Sequence, residues 1–160
     1  MKELTFATTV KSYAFDELPE TYRQLVEKAK AMTRNSYSPY SGFRVGAALL
    51  LDNGEILGGT NQENAAYPSG LCAERTVMFY ANANYPDVPV KALAVACYTN
   101  GHFTDEPGSP CGSCRQSLLE TEHRFGKDIP VILYGEKHTI VFESVRSTLP
   151  YCFVNDSLQG

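Results

Sequence analysis

Three cysteines and a glutamate constrain this chain more than any other feature. Cys72-Ala73-Glu74-Arg75 is followed, after a long gap, by Pro110-Cys111-Gly112-Ser113-Cys114-Arg115-Gln116. A closed structural zinc site needs four protein ligands, whereas one thiolate plus one Cys-x-x-Cys pair supplies three and leaves a coordination position open to water. A carboxylate two residues beyond the first ligand is placed to handle that water's protons, as metal-assisted hydrolysis requires. A lone Cys-x-x-Cys also fits a structural zinc or a redox pair, and it is the addition of Cys72-Ala73-Glu74-Arg75 that turns the reading to catalysis. His102, His123 and His138 are the only histidines, and none stands at metal-ligand spacing from a cysteine.

The motif also restricts the fold, because the two segments have to meet at one ion. Residues 72–83 read as a helix with an apolar face of Val77, Met78 and Ala81. Pro110 stands where a second helix begins, so that residues 111–125 follow from it. Both helix N-termini then point at the metal. Their partial positive charge favours thiolate over thiol and offsets the negative charge that three thiolates leave on zinc. Arg75 and Arg115 are placed to add hydrogen bonds to the sulfurs. Glu74 must reach the open position without binding the metal.

Around these helices the chain alternates. Residues 1–15 have no sustained period and read as a loosely packed arm. Asp16 stands before Leu18-Pro19-Glu20 as a capping residue, and Tyr22, Leu25, Val26, Ala29 and Met32 recur at helical spacing. Residues 36–42 are a loop by their Ser, Pro and Gly content. Residues 43–51 are an apolar strand, Asp52-Asn53-Gly54 has hairpin-turn chemistry, and residues 55–58 are the return. After a polar loop over 59–71 and the first ligand helix, residues 90–97 form a second buried strand. Strands over 129–134 and 138–142 follow the second ligand helix, then a short helix over 143–147. Strands alternating with helices after an initial hairpin imply an α/β fold of three layers, α/β/α, with a mixed sheet of about five strands.

Composition sets the remaining bounds. A chain of 160 residues, 43% apolar and 20% charged, is expected to form a single domain over residues 1–160. Five cysteines are an odd number in a chain whose first residues lack the apolar core of a signal peptide, so thiolate chemistry in the cytoplasm is expected in place of disulfides. Cys97, at the end of an apolar run, reads as a buried small hydrophobe. The longest apolar run falls far short of a membrane span. A net charge of -4 without basic clusters argues against a polynucleotide partner.

With these motifs in place the chain resembles the small homotetrameric cytidine deaminases of pyrimidine salvage. The matching stretches are Tyr40-Ser-Gly-Phe43-Arg-Val45-Gly46-Ala-Ala-Leu, Asn61-Gln-Glu63-Asn64-Ala-Ala-Tyr67, Cys72-Ala-Glu74-Arg75 and Ser109-Pro-Cys111-Gly-Ser-Cys114-Arg115-Gln116. Zinc nucleobase deaminases carry this kind of cysteine set with a glutamate that is not a ligand. The resemblance implies a cytidine deaminase-like fold, one Zn2+ per subunit on Cys72, Cys111 and Cys114, and Glu74 as the proton-transfer group. It also implies that Phe43 packs near base and sugar, that Asn61 and Glu63 hydrogen-bond the ribose 3'-hydroxyl, and that the backbone at Ala73 holds the pyrimidine carbonyl. Tyr67 and Phe153 would reach a neighbouring subunit's site in a homotetramer with shared active sites. The implied reaction is hydrolytic deamination of cytidine and 2'-deoxycytidine. A different aminated pyrimidine, such as blasticidin S, and a structural zinc module are the alternatives. Gln62, where the family usually has an aliphatic residue, and Pro68-Ser69-Gly70 before the first ligand depart from the family pattern.

Overall fold

A computed structural model of the chain describes residues 1–158. Seven strands form one mixed sheet: β1 (Lys11–Tyr13), β2 (Arg44–Leu51), β3 (Ile56–Thr60), β4 (Val90–Thr99), β5 (His102–Phe103), β6 (Val131–Tyr134) and β7 (Thr139–Phe142). The order across the sheet is β1-β7-β6-β4-β2-β3, with β5 paired to β4. Only β4 and β6 run parallel, joined by the crossover through α3 (Gly112–Phe125), whereas β2 is antiparallel to both β3 and β4. The sheet exceeds the expected five strands because β1 and β5, of three and two residues, are too short to carry a period. β1 comes from the segment read as an arm, and it pairs with β7 through Lys11, Ser12 and Tyr13.

The two faces of the sheet are built differently, and strand periodicity is the reason. One face of β2 and β4 presents Ala48, Ala92, Ala94 and Ala96 to α1 (Glu20–Met32), whose Leu25, Val26 and Ala29 are fully buried there. Small side chains let this helix approach closely. A Cβ on Gly46 would lie 2.0 Å from the Ala29 carbonyl oxygen, so only glycine fits that point of contact. The other face presents Leu49, Leu51, Leu93 and Val95 to α2 (Ala73–Asn84) and α3, which contribute Val77, Met78, Leu118 and Leu119. Thus α1 covers one side and the two ligand helices cover the other, in three layers as expected.

Two local expectations differ. Asp16 does not cap α1: it lies in a single 3-10 turn, Phe15–Glu17, and Pro19 takes the position before Glu20. Glu17 accepts a hydrogen bond from the Ala14 amide at 2.9 Å, which closes that turn first, and Pro19 has no amide for a cap to serve. The short helix expected over 143–147 is one 3-10 turn, Arg146–Thr148. Among the described residues no helix is long and apolar enough to cross a membrane.

Candidate active site

The cysteines lie where the two helices begin. Cys72 occupies the capping position of α2 and Cys111 that of α3, each in extended backbone, while Cys114 sits one turn inside α3 and is fully buried. The sulfurs of Cys72 and Cys111 are 3.9 Å apart, and those of Cys111 and Cys114 are 3.5 Å apart. A tetrahedral zinc with sulfur at about 2.3 Å has edges of about 3.8 Å, so the donor set fits that ion with no rearrangement of the main chain. No histidine joins this group among the described residues: His102 lies instead with Asp105 and Glu136. A fourth protein ligand, which a structural zinc module would need, is therefore not at hand.

Charge at the sulfurs is arranged for a cation. The Cys72 thiol is pushed down to about 5 by the hydrogen bond from Cys114 first, with Arg75 and Cys111 adding to it, while the same hydrogen bond and burial push Cys114 up. One negative charge is thus already held on Cys72, and a metal would displace the protons that remain. Arg75 supplies part of this by placing Nη2 3.8 Å from Cys72 Sγ. Arg115 does not do the same. Its Nε donates to the Pro110 carbonyl at 2.8 Å, Nη1 to the Thr148 carbonyl at 2.9 Å and Nη2 to Ser109 Oγ at 2.7 Å. The fork of three nitrogens is committed to main chain and hydroxyl, and it braces the turn that delivers Cys111 against the Arg146–Thr148 turn.

Glu74 follows Cys72 by two residues on α2 and is 4% exposed. Burial, and after it the negative charge on Cys72, raise its pKa above the ordinary carboxylate value. A carboxylate shifted in this direction is better suited to give and take protons near neutral pH. It faces a cavity of about 580 Å³ that Cys72 and Cys111 also line, so the sulfurs and the carboxylate share one space.

Phe43, Asn61 and Glu63 line the same cavity. The polar pair is already engaged. Asn61 Oδ1 accepts from Val45 N at 2.8 Å and Ser36 Oγ at 2.6 Å, and its Nδ2 donates to the Phe43 carbonyl at 2.9 Å. Glu63 accepts from the Tyr40 and Ser41 amides at 2.8 and 3.2 Å and from Ser41 Oγ. Together they hold residues 36–45 over the cavity, and an Asn61 amide hydrogen remains for a further acceptor. Gln62 does not line the cavity, and its main chain pairs with Leu71, donating and accepting at 2.9 and 3.0 Å, which closes the loop of residues 62–71 despite Pro68-Ser69-Gly70. Ala73 is buried at the first position of α2, where the amides of the opening turn lack partners within the helix. Tyr67 and Phe153 lie outside the cavity, 78% and 58% exposed.

Sequence reasoning missed part of the wall. Leu71, Val95, Cys97, Gly108 and Ser109 also line the cavity. The period of β4 turns Val95 and Cys97 to the face of the ligand helices, a signal present in the strand pattern. Nothing in the sequence said that this face stays partly open at the Cys97 end. Gln116, in the second cysteine motif, donates from Nε2 to the Phe153 carbonyl at 2.9 Å and ties the C-terminal segment to α3.

Known proteins match this arrangement. Residues 19–125 match the family described as the cytidine and deoxycytidylate deaminase zinc-binding region. A cytidine deaminase of Sporosarcina psychrophila is 40% identical over 84% of this chain and 93% of its own. A probable cytidine deaminase of Dictyostelium discoideum is 33% identical over 87% of this chain and 88% of its own. The crystal structure of cytidine deaminase from Burkholderia pseudomallei superposes with a TM-score of 0.70 at 39% identity, covering 82% of this chain and 98% of that one. Three sulfurs at two helix starts, a buried glutamate beside them and a family match over residues 19–125, with 40% identity to a relative over 84% of the chain, lead to one conclusion: the chain belongs to the zinc-dependent cytidine deaminase family.

Proposed function

We propose that the protein hydrolyses cytidine and 2'-deoxycytidine to uridine and 2'-deoxyuridine, water entering at C4 of the ring and ammonia leaving. The observation that carries this reading is Glu74, a buried carboxylate with raised pKa that opens onto the same cavity as Cys72 and Cys111. Cys72, Cys111 and Cys114 would hold the zinc, one per subunit, and zinc there would supply the Lewis acidity that makes water nucleophilic near neutral pH. Glu74 accepts the proton of the attacking water, delivers it to ring N3, and then moves a proton to the departing amine. Ala73 offers its main chain to the pyrimidine carbonyl. Phe43 packs against base and sugar, while Asn61 and Glu63 meet the ribose 3'-hydroxyl with the hydrogen-bonding capacity their loop contacts leave.

Residues 1–160 act as a single domain with residues 1–15 as its arm, and the protein works as a homotetramer. The exposure of Tyr67 and Phe153, both away from their own cavity, supports a role for each in a neighbour's site. Five free thiols support a cytoplasmic setting, where they stay reduced. The test is turnover of cytidine by purified, zinc-loaded protein, followed by the ultraviolet change on loss of the amino group, beside a panel that includes blasticidin S. Turnover removed by a chelator is the result expected. No turnover of cytidine with zinc fully loaded would overturn the reading, and light scattering that shows a monomer under active conditions would overturn the shared site.

A further inference from the structure

Cys97 and Gly108 occupy one volume between them. Cys97 comes from the end of β4, on the face of the sheet that α2 and α3 cover, and Gly108 from the turn that leads through Ser109 and Pro110 to Cys111. A Cβ on Gly108 would stand 2.4 Å from Cys97 Sγ and 3.4 Å from its Cβ. The thiol therefore fills the place that any side chain at 108 would need. Both residues line the cavity that holds Glu74, Cys72 and Cys111, and Cys97 lies near enough to Glu74 to feel its charge. Burial pushes its own pKa up to about 12, so it presents an uncharged, weakly polar wall.

On the deaminase reading, on which this inference rests, the reacting carbon C4 has to sit between the sulfur cluster and Glu74. Ring N3 is the proton partner of Glu74 and carries no substituent. What is left to meet the inner wall is the edge formed by C4 with its amino group and C5. We infer that the Cys97–Gly108 pair determines specificity at this edge, the volume of one sulfur setting how large a group on C5 or on the amino nitrogen the pocket accepts. The pairing is reciprocal. Shrinking residue 97 makes room either for a larger substrate or for a side chain at 108.

The experiment compares kcat/KM for cytidine, 5-methylcytidine and N4-methylcytidine. Turnover of cytidine by the unaltered enzyme, measured first, tests the deaminase reading separately. In Cys97→Ala the ratio of a methylated substrate to cytidine rises on the order of tenfold, the discrimination that about one methylene gives in an apolar pocket. Cys97→Val, which keeps the core filled, lowers the ratio, and this arm stands if the alanine variant fails to fold. Gly108→Ala raises KM for cytidine, and Cys97→Ala in the same chain restores it. An unmoved ratio for both methylated substrates in Cys97→Ala and Cys97→Val overturns the inference. So does a change in Cys97→Ser, which alters the chemistry of the wall but hardly its volume, as large as that in Cys97→Ala.

Discussion

Glu74 and Glu122 are buried carboxylates on neighbouring helices, 4% and 5% exposed, and the protein uses them in opposite ways. Glu122, near the end of α3, accepts from three main-chain amides: Ile129 at 2.9 Å, Val145 at 2.7 Å and Arg146 at 3.0 Å. Its acceptor capacity is spent on fastening the start of the β6 segment and the turn after β7 to the helix. Glu74 faces an open cavity, and the hydrogen bonds it accepts come from its own amide and the Cys114 thiol, within the cluster itself. Burial makes a carboxylate valuable for structure where donors surround it and reactive where they do not. Glu122 is also tied to the turn that delivers Cys111. Glu122 holds the Arg146 amide, the Thr148 carbonyl at the end of that turn accepts from Arg115, and Arg115 braces the Pro110 carbonyl beside the ligand Cys111.

The contrast is open to attack from several sides, the largest effect coming from the metal. Removing zinc with a chelator is expected to bring cytidine turnover to background and adding zinc to restore it. The far-ultraviolet circular dichroism should keep its shape, since both apolar cores close without the three ligands. Next comes Glu74→Gln, for which kcat falls by at least about 10²- to 10⁴-fold, the range of a lost general acid and base. Metal analysis should find zinc still bound, and the melting temperature unchanged or higher, because a carboxylate whose charge burial disfavours has been replaced by a neutral amide. A melting temperature that collapses instead would make Glu74 structural and end the contrast.

Glu122→Gln should behave in the reverse manner. It places an NH₂ group where main-chain amides point, and leaving such donors unpaired costs roughly 3 kcal/mol, read by urea denaturation. The folded fraction should keep kcat near that of the unaltered enzyme. A loss of kcat without loss of stability would show that the chain of contacts through Arg115 governs chemistry directly.

Glu63 refines the comparison with the smallest effect, for it too accepts main-chain amides, but nearer solvent. The Ser41 hydroxyl first, and the Tyr40 amide after it, hold its pKa below the ordinary 4.5. A carboxylate with a depressed folded-state pKa contributes in full above the unfolded value and loses that contribution as pH falls through the folded one. Hydrogen-exchange protection of the Tyr40 and Ser41 amides should therefore hold above pH 4.5 and decline below it. In Glu63→Gln the profile should be flat, and a decline that persists there would assign it to another group.

Much of the site was legible because its chemistry is local in sequence. Cys72 with Glu74, and Cys111 with Cys114, sit on single turns of helix, where spacing alone fixes which groups share a direction. The three-layer fold followed from apolar periods in α1, β2 and β4. The short strands β1 and β5 were not legible, since two or three residues carry no period and are strands only because β7 and β4 offer them partners. The direction of Arg115 was not legible for a related reason. Its place one residue after Cys114 says that it is near the sulfurs, but its direction depends on the Thr148 carbonyl, 33 residues away.

By itself the sequence determined the three cysteines that could hold a metal, the carboxylate proposed for proton transfer and the layered α/β class, all of which rest on intervals of a few residues. Only the tertiary structure decided which carboxylate faces the cavity, which arginine braces the turn before Cys111, and that Cys97 fills the space Gly108 leaves. Each of these is a matter of which groups from distant segments come within about 4 Å, and no periodicity encodes a meeting between elements.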